Sequence, residues 1–296
     1  MSTKQLRNIV LLGLFAIPFI ALVVSKSLLF PFITGKAFYF RIIVEIIFIC
    51  SLILALKEKE YRPKFSWINM SVFVFIVAIG VADMFSENSY KSFWSNYERM
   101  EGFLALLHFG ALYFVLVSAV KTKELWNKIF ATSVFVSAIM AIYSFLQIAG
   151  KIVINQGGVR VDGTFGNATY LAIYMVFSIF LAVYLILNSK KNLWKLTLGI
   201  IALADLVVLY FTATRGAILG IIGGSLVTFI VLLIKSEKGD KVRKIALVSV
   251  VSIVAVILSL ISCPAWANMP DFSSWRSVSL SDFLLWPLAS SRTEWV

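Results

Sequence analysis

Apolar residues in this chain do not alternate with polar ones. They run in blocks of about twenty separated by short polar loops. A helix rises about 1.5 Å per residue, so roughly twenty residues cross a hydrocarbon core about 30 Å thick. The blocks predict nine membrane-spanning helices, near residues 8–25, 38–56, 66–83, 102–120, 129–149, 169–187, 196–212, 217–234 and 245–262. The expected fold class is therefore all-α and polytopic. Residues 1–262 form a transmembrane helical domain, and residues 263–296 form a polar tail on the outer side.

The loops alternate between lysine-rich and lysine-poor. The N-terminus and segments 57–64, 121–128, 188–195 and 235–244 hold seventeen of the 27 lysines and arginines. Cytoplasmic loops retain positive charge, which places the N-terminus inside and the C-terminal tail outside. The net charge of +12 then reads as a topology signal and as a contact with anionic lipid heads rather than with nucleic acid, because the charges sit in short loops between spans. The first span has a basic flank but no small-residue cleavage site, which marks an uncleaved helix rather than a signal peptide.

Composition agrees: 60% of the 296 residues are hydrophobic, against 45–50% apolar in an average soluble domain. Cys50 and Cys263 fall at opposite expected membrane depths, which argues against a disulfide between them, and the single histidine, His108, excludes a histidine-rich metal site. No metal or other cofactor is expected.

Candidate chemistry gathers on the outer side. Segment 85–102 carries Asn88, Tyr90, Trp94, Asn96, Tyr97, Glu98, Arg99 and Glu101. Segment 150–169 carries Gly157, Gly158 and Arg160, then Asp162-Gly163-Thr164-Phe165-Gly166-Asn167. Aromatics interleaved with amides and charges suit an interfacial belt or a sugar-binding surface. The glycines permit positive φ and exposed amides that could hold an anion, while Asn167 or Thr169 equally suits an N-cap for the following span.

Arg215 lies in the tight reversal Thr212-Ala213-Thr214-Arg215-Gly216, between long apolar runs. An arginine at that depth is costly unless it is paired or faces a polar cavity, and its planar fork suits bidentate contact with phosphate. Snorkelling to the headgroups is the other reading. Within the spans, Arg41 and Glu45 are spaced i, i+4 and predict a structural ion pair. Asp205, midway along the seventh span, reads as an ion-coupling carboxylate or a helix–helix hydrogen-bonding group, and His108 as a packing histidine.

The motif Tyr97-Glu98-Arg99-Met100-Glu101-Gly102 resembles the Arg-x-x-Gly element of the O-antigen ligase and O-antigen polymerase family. Gly163-Thr164-Phe165-Gly166-Asn167 is similar to that family's Gly-Thr-Phe-Gly-Asn helix start. Thr212-Ala213-Thr214-Arg215-Gly216 resembles its Thr-x-Ser-Arg-Gly turn, and Ser291-Arg292-Thr293-Glu294-Trp295 its Ser-Arg-x-x-Trp element.

The resemblance implies a glycosyltransferase of the bacterial cytoplasmic (inner) membrane, joining a glycan from an undecaprenyl-diphosphate carrier to a lipid, glycan or protein acceptor. It implies diphosphate binding by Arg215 and Arg292, with Arg160 and Arg99 as further candidates, and a substrate loop containing Glu98, Gly163, Gly166 and Asn167. The family's long outer loop and its histidine are missing. The tail has no lysine, seven serines and four of the eight tryptophans. These departures imply a truncated chain that binds the carrier without completing transfer. The competing reading is a secondary transporter using Asp205 and the Arg41–Glu45 pair.

Overall fold

The computed structural model describes residues 1–96, 99, 101–156, 158–237 and 241–262, with only the backbone of 241, 242 and 256–262. Glu98 and Arg292, both expected at the site, lie outside the described residues, as does the tail 263–296. Among the described residues every regular element is a helix, with no strand.

Ten α-helices follow in order: α1 Thr3–Ala16, α2 Thr34–Lys57, α3 Trp67–Met84, α4 Ser89–Trp94, α5 Phe103–Ala119, α6 Lys123–Ile148, α7 Ala168–Asn188, α8 Asn192–Phe211, α9 Arg215–Lys235 and α10 Lys241–Ser262. Among the described residues, seven segments are long and apolar enough to cross a membrane: α1 with the turn after it, α2, α3, α6, α7, α8 and α9. Helix α5 is apolar but has 17 residues. This composition fits a multi-pass membrane protein.

Local chemistry sets the boundaries. A capping box between Ser2 and Gln5 starts α1 five residues before the expected span. Pro18 lacks an N–H and falls in the 3-10 turn Ile17–Leu22 that closes this first segment. Helix α6 likewise begins at Lys123 rather than near 129. The Thr122 hydroxyl accepts from Leu125 N–H, and Lys128 reaches Glu124 one turn back at 2.7 Å.

Three apolar clusters hold the bundle. Val10, Leu14, Ile47, Val115 and Ile129 join α1, α2, α5 and α6. Val134, Ala182, Leu185 and Leu198 join α6, α7 and α8. Met140, Leu171, Met175, Val208, Leu209 and Ala217 form the third, where α6, α7, α8 and α9 meet the 3-10 turn through Ala21.

Outside these clusters large apolar side chains face outward, among them Phe73, Phe75, Phe109, Phe177 and Leu203. A soluble monomer does not expose apolar surface on this scale. Helix α3 has no buried residue. It leans on α5 where Ile76 crosses Gly110 and Phe103 crosses Gly80, and Tyr113 donates to Asn69 at 2.7 Å.

Hydrogen bonds gather the loops in two groups. Lys57 donates to Met1 O at 3.0 Å, Thr3 to Glu58 at 3.4 Å, and Lys123 to Asn188 at 2.6 Å. These join segments expected on one side. The second group draws segments 16–36, 149–167 and 211–215 together around the loop that precedes α7, with Arg99 stacked on its edge.

Candidate functional site

The loop between α6 and α7 is organised around Gln147, which is 3% exposed on the last turn of α6. Its Nε2 donates to Val153 O (3.0 Å) and to Asp162 Oδ1 (2.7 Å), and its Oε1 accepts from Gly163 N–H (2.8 Å). Asp162 Oδ2 accepts from Gln156 N–H at 2.8 Å, and Gln156 Oε1 accepts from Ala168 N–H at the start of α7 at 2.8 Å. A buried donor or acceptor must find a partner, and this chain of amide and carboxylate contacts supplies several at once.

Three expected loop residues have local duties. Asn167 caps α7, its Oδ1 accepting from Thr169 N–H at 2.8 Å. Gly163 and Gly166 stand at φ +56° and +63°, where a side chain is strained. A Cβ on Gly166 would come within 2.3 Å of the Phe32 ring. The amide of Gly163 is spent on Gln147, so it is not part of an open anion nest.

Lys36, on the first turn of α2, ties this loop to the segment before it. Its ammonium donates to Val23 O and to Thr164 O (2.8 Å) and lies 5.4 Å over the Phe165 ring. Thr164 also donates its hydroxyl to Ala21 O. Arg99 approaches the same segment from the α4–α5 connection, its guanidinium 5.1 Å over Phe30, while its carbonyl accepts from Arg41 at 3.5 Å.

Arg160 braces the reversal between α8 and α9. Its Nε donates to Thr212 O at 2.9 Å and its Nη2 to Thr214 Oγ1 at 3.1 Å, while Val161 N–H donates to Phe211 O at 3.3 Å. Ala213 takes a left-handed φ of 49° to complete the turn. Thr214 stands at the N-cap of α9, yet its hydroxyl makes no capping bond to that helix. Instead it accepts from Arg160 and turns back on Thr212 O at 3.3 Å. The first amides of α9 are thus left without a side-chain cap.

Arg215 opens this helix. It is exposed and pairs with no acid among the described residues. Uncapped amides at a helix N-terminus carry partial positive charge and suit a phosphate or carboxylate. The structure thus separates the two arginines that the sequence grouped: Arg160 supports the turn, and Arg215 faces outward beside it. No contact among the described residues joins Arg99 to that turn.

The charges within the helices have partners that local spacing did not give in full. Glu45 makes its close contact with His108 on α5, Oε1 to Nε2 at 3.0 Å. Arg41 lies within Coulombic reach of both Glu101 and Glu45. Asp205 is fully buried and accepts from Ser137 on α6 at 2.8 Å, a helix–helix link. Gln147 and Lys36 were not singled out from the sequence, although a lone amide near the end of an apolar run was an available signal for the first, while Lys36 shares its outer segment with Lys26 and carried none. No family model, curated protein or solved structure matches the chain.

Proposed function

We propose that this chain binds a polyprenyl-diphosphate-linked glycan at the outer face of a bacterial cytoplasmic membrane, as a glycosyltransferase of the O-antigen ligase or polymerase type. In this reading the chain has nine spans, a cytoplasmic N-terminus and an outer tail, and Arg292 joins the site from that tail. One observation carries the proposal: with the Thr214 hydroxyl held by Arg160, no side chain caps the amides of Arg215 and Gly216 at the start of α9, and the exposed Arg215 guanidinium stands beside them.

Amides and guanidinium together offer a diphosphate several donors and compensate its charge. During transfer an acceptor hydroxyl attacks the anomeric carbon, the bond from that carbon to the diphosphate oxygen breaks with its electron pair going to the diphosphate, and the hydroxyl's proton passes through water to the departing diphosphate. Donors already aimed at that oxygen lower the barrier. Below Arg215 the surface of α9 is shallow: Cβ atoms on Gly216, Gly220 and Gly223 would meet nothing within 4 Å. That trough leaves room for a prenyl chain beside the charged end. His108 takes no part, since it is held inside the bundle by Glu45 and Leu104 O. Asp205, enclosed between α6 and α8, supports this reading over a transporter.

The test is binding of undecaprenyl diphosphate to the purified chain in nanodiscs. Arg215→Lys keeps the charge but loses the fork, and is expected to weaken binding by about tenfold, or ~1.4 kcal/mol. Binding within about twofold of the unaltered chain would remove the basis of the proposal.

A further inference from the structure

At the opposite end of α8 from Arg215, the first turns of α6 and α8 and the end of α7 frame a cavity of about 250 Å³. Its polar wall is Asn127, Asn188 and Ser189, and its apolar wall is Ala131, Leu185 and Trp194. A second cavity of about 410 Å³ shares Trp194 with it and is lined by Lys191, Leu193 and Thr197.

Most polar groups of the wall are already occupied. Asn188 accepts from Lys123 at 2.6 Å and donates to Tyr184 O at 2.8 Å, and Ser189 accepts from Lys191 N–H at 3.3 Å. Glu124, the acid at this cavity, is held by Lys128 at 2.7 Å. Asn127 differs: its side chain makes no hydrogen bond among the described residues, and its Oδ1 is enclosed. A buried amide oxygen ordinarily has a donor, so this wall is short of one ligand group.

The surroundings are also short of negative charge. Lys190, Lys191 and Lys195 flank the start of α8, and none pairs with an acid among the described residues. The first turn of α8 holds no acid, no side chain caps it, and the N–H groups of Asn192, Leu193 and Trp194 meet no acceptor. Lysines at the positive end of a helix are opposed by its dipole, and an anion relieves both. From the cavity an exposed apolar lane runs along α8 through Leu193, Leu196, Ile200 and Leu203, at spacings of three and four that keep it on one face.

We propose that this cavity seats the headgroup of an anionic phospholipid. Its phosphate lies against Lys191 and the open amides of α8, a headgroup hydroxyl donates to Asn127, and an acyl chain follows the lane. The lysine surplus selects a net negative headgroup over a zwitterionic one. A soluble phosphate ester shares the headgroup chemistry but makes no use of the lane.

The test places the full chain in phosphatidylcholine vesicles that contain phosphatidylglycerol or phosphatidylcholine with brominated acyl chains. Bromine quenches tryptophan on contact, and the difference between the unaltered chain and Trp194→Phe isolates Trp194. Brominated phosphatidylglycerol is expected to compete for Trp194 about tenfold better than brominated phosphatidylcholine. Asn127→Leu and Lys191→Gln should each bring that preference below about threefold, while Lys4→Gln, which removes a charge at the N-terminus, should leave it in place. Equal quenching by the two lipids overturns the proposal, as does a preference that Lys4→Gln lowers as much as Lys191→Gln, the mark of general surface charge. Relief of quenching by glycerol phosphate would overturn the lipid as occupant in favour of a soluble ester. Helicity of each variant is checked by circular dichroism, and if Asn127→Leu unfolds, the exposed Lys191 decides.

Discussion

Replacing Gln147 by leucine keeps the bulk of the side chain and removes three hydrogen bonds at once. The losses are unequal. Val153 is exposed, so its carbonyl takes water instead. Gly163 is buried, and its orphaned N–H costs about 1–3 kcal/mol. Asp162 is also buried and keeps only the Gln156 amide, and a lost bond to a charged group costs about 1.5–3 kcal/mol. Burying the leucine returns about 1.5 kcal/mol, which leaves a net destabilisation of roughly 3 kcal/mol.

The assay is unfolding by sodium dodecyl sulfate titrated into dodecyl maltoside micelles, with helicity as the readout. A loss under about 1 kcal/mol would refute the view that this amide organises the loop. Gln147→Glu extends the argument. It sets a second carboxyl against Asp162, so the folded state must hold a proton between the two that the unfolded chain gives up. The folded form is then favoured at low pH and loses stability as pH rises through the carboxylate range, the opposite of a salt-bridged acid.

Gly166→Ala and Gly158→Ala separate backbone strain from collision. Both glycines have positive φ, but only at Gly166 does a Cβ strike a neighbour, the Phe32 ring. Gly158→Ala should cost about 1 kcal/mol and Gly166→Ala about 2–4 kcal/mol in the same titration, and equal costs would exclude the collision. Asp205→Asn retains a hydrogen-bonding group for Ser137, and should change stability by less than about 1 kcal/mol. A loss above ~3 kcal/mol would show that Asp205 balances a buried charge.

Seven of the nine expected spans reappear as helices of membrane length among the described residues, and they were legible because lipid leaves the sequence only one way to satisfy a buried backbone, a helix of sufficient length. Their ends were less so. Lys123–Lys128 read as a polar loop, yet Thr122 caps them and the Glu124–Lys128 pair supports the turn, so α6 extends past its apolar stretch. At the candidate site, sequence spacing identified Arg160 and Arg215 but could not assign their duties, which depend on which of them the Thr214 hydroxyl meets. The i, i+4 spacing placed Glu45 within Coulombic reach of Arg41, but it gave no sign of the close contact that crosses to His108, 63 residues away. A side chain's partner across helices is decided by packing, which no local pattern encodes.

Helix α3, which buries nothing, is retained in the fold by very little. Lipid tails are as apolar as its own side chains, so the hydrophobic effect that keeps it within the bilayer does nothing to hold it against its neighbours. Its place is set by the notches at Gly80 and Gly110 and by the Asn69–Tyr113 bond. A bulkier residue at either glycine would leave this helix adrift, still embedded but no longer moored to the rest of the fold.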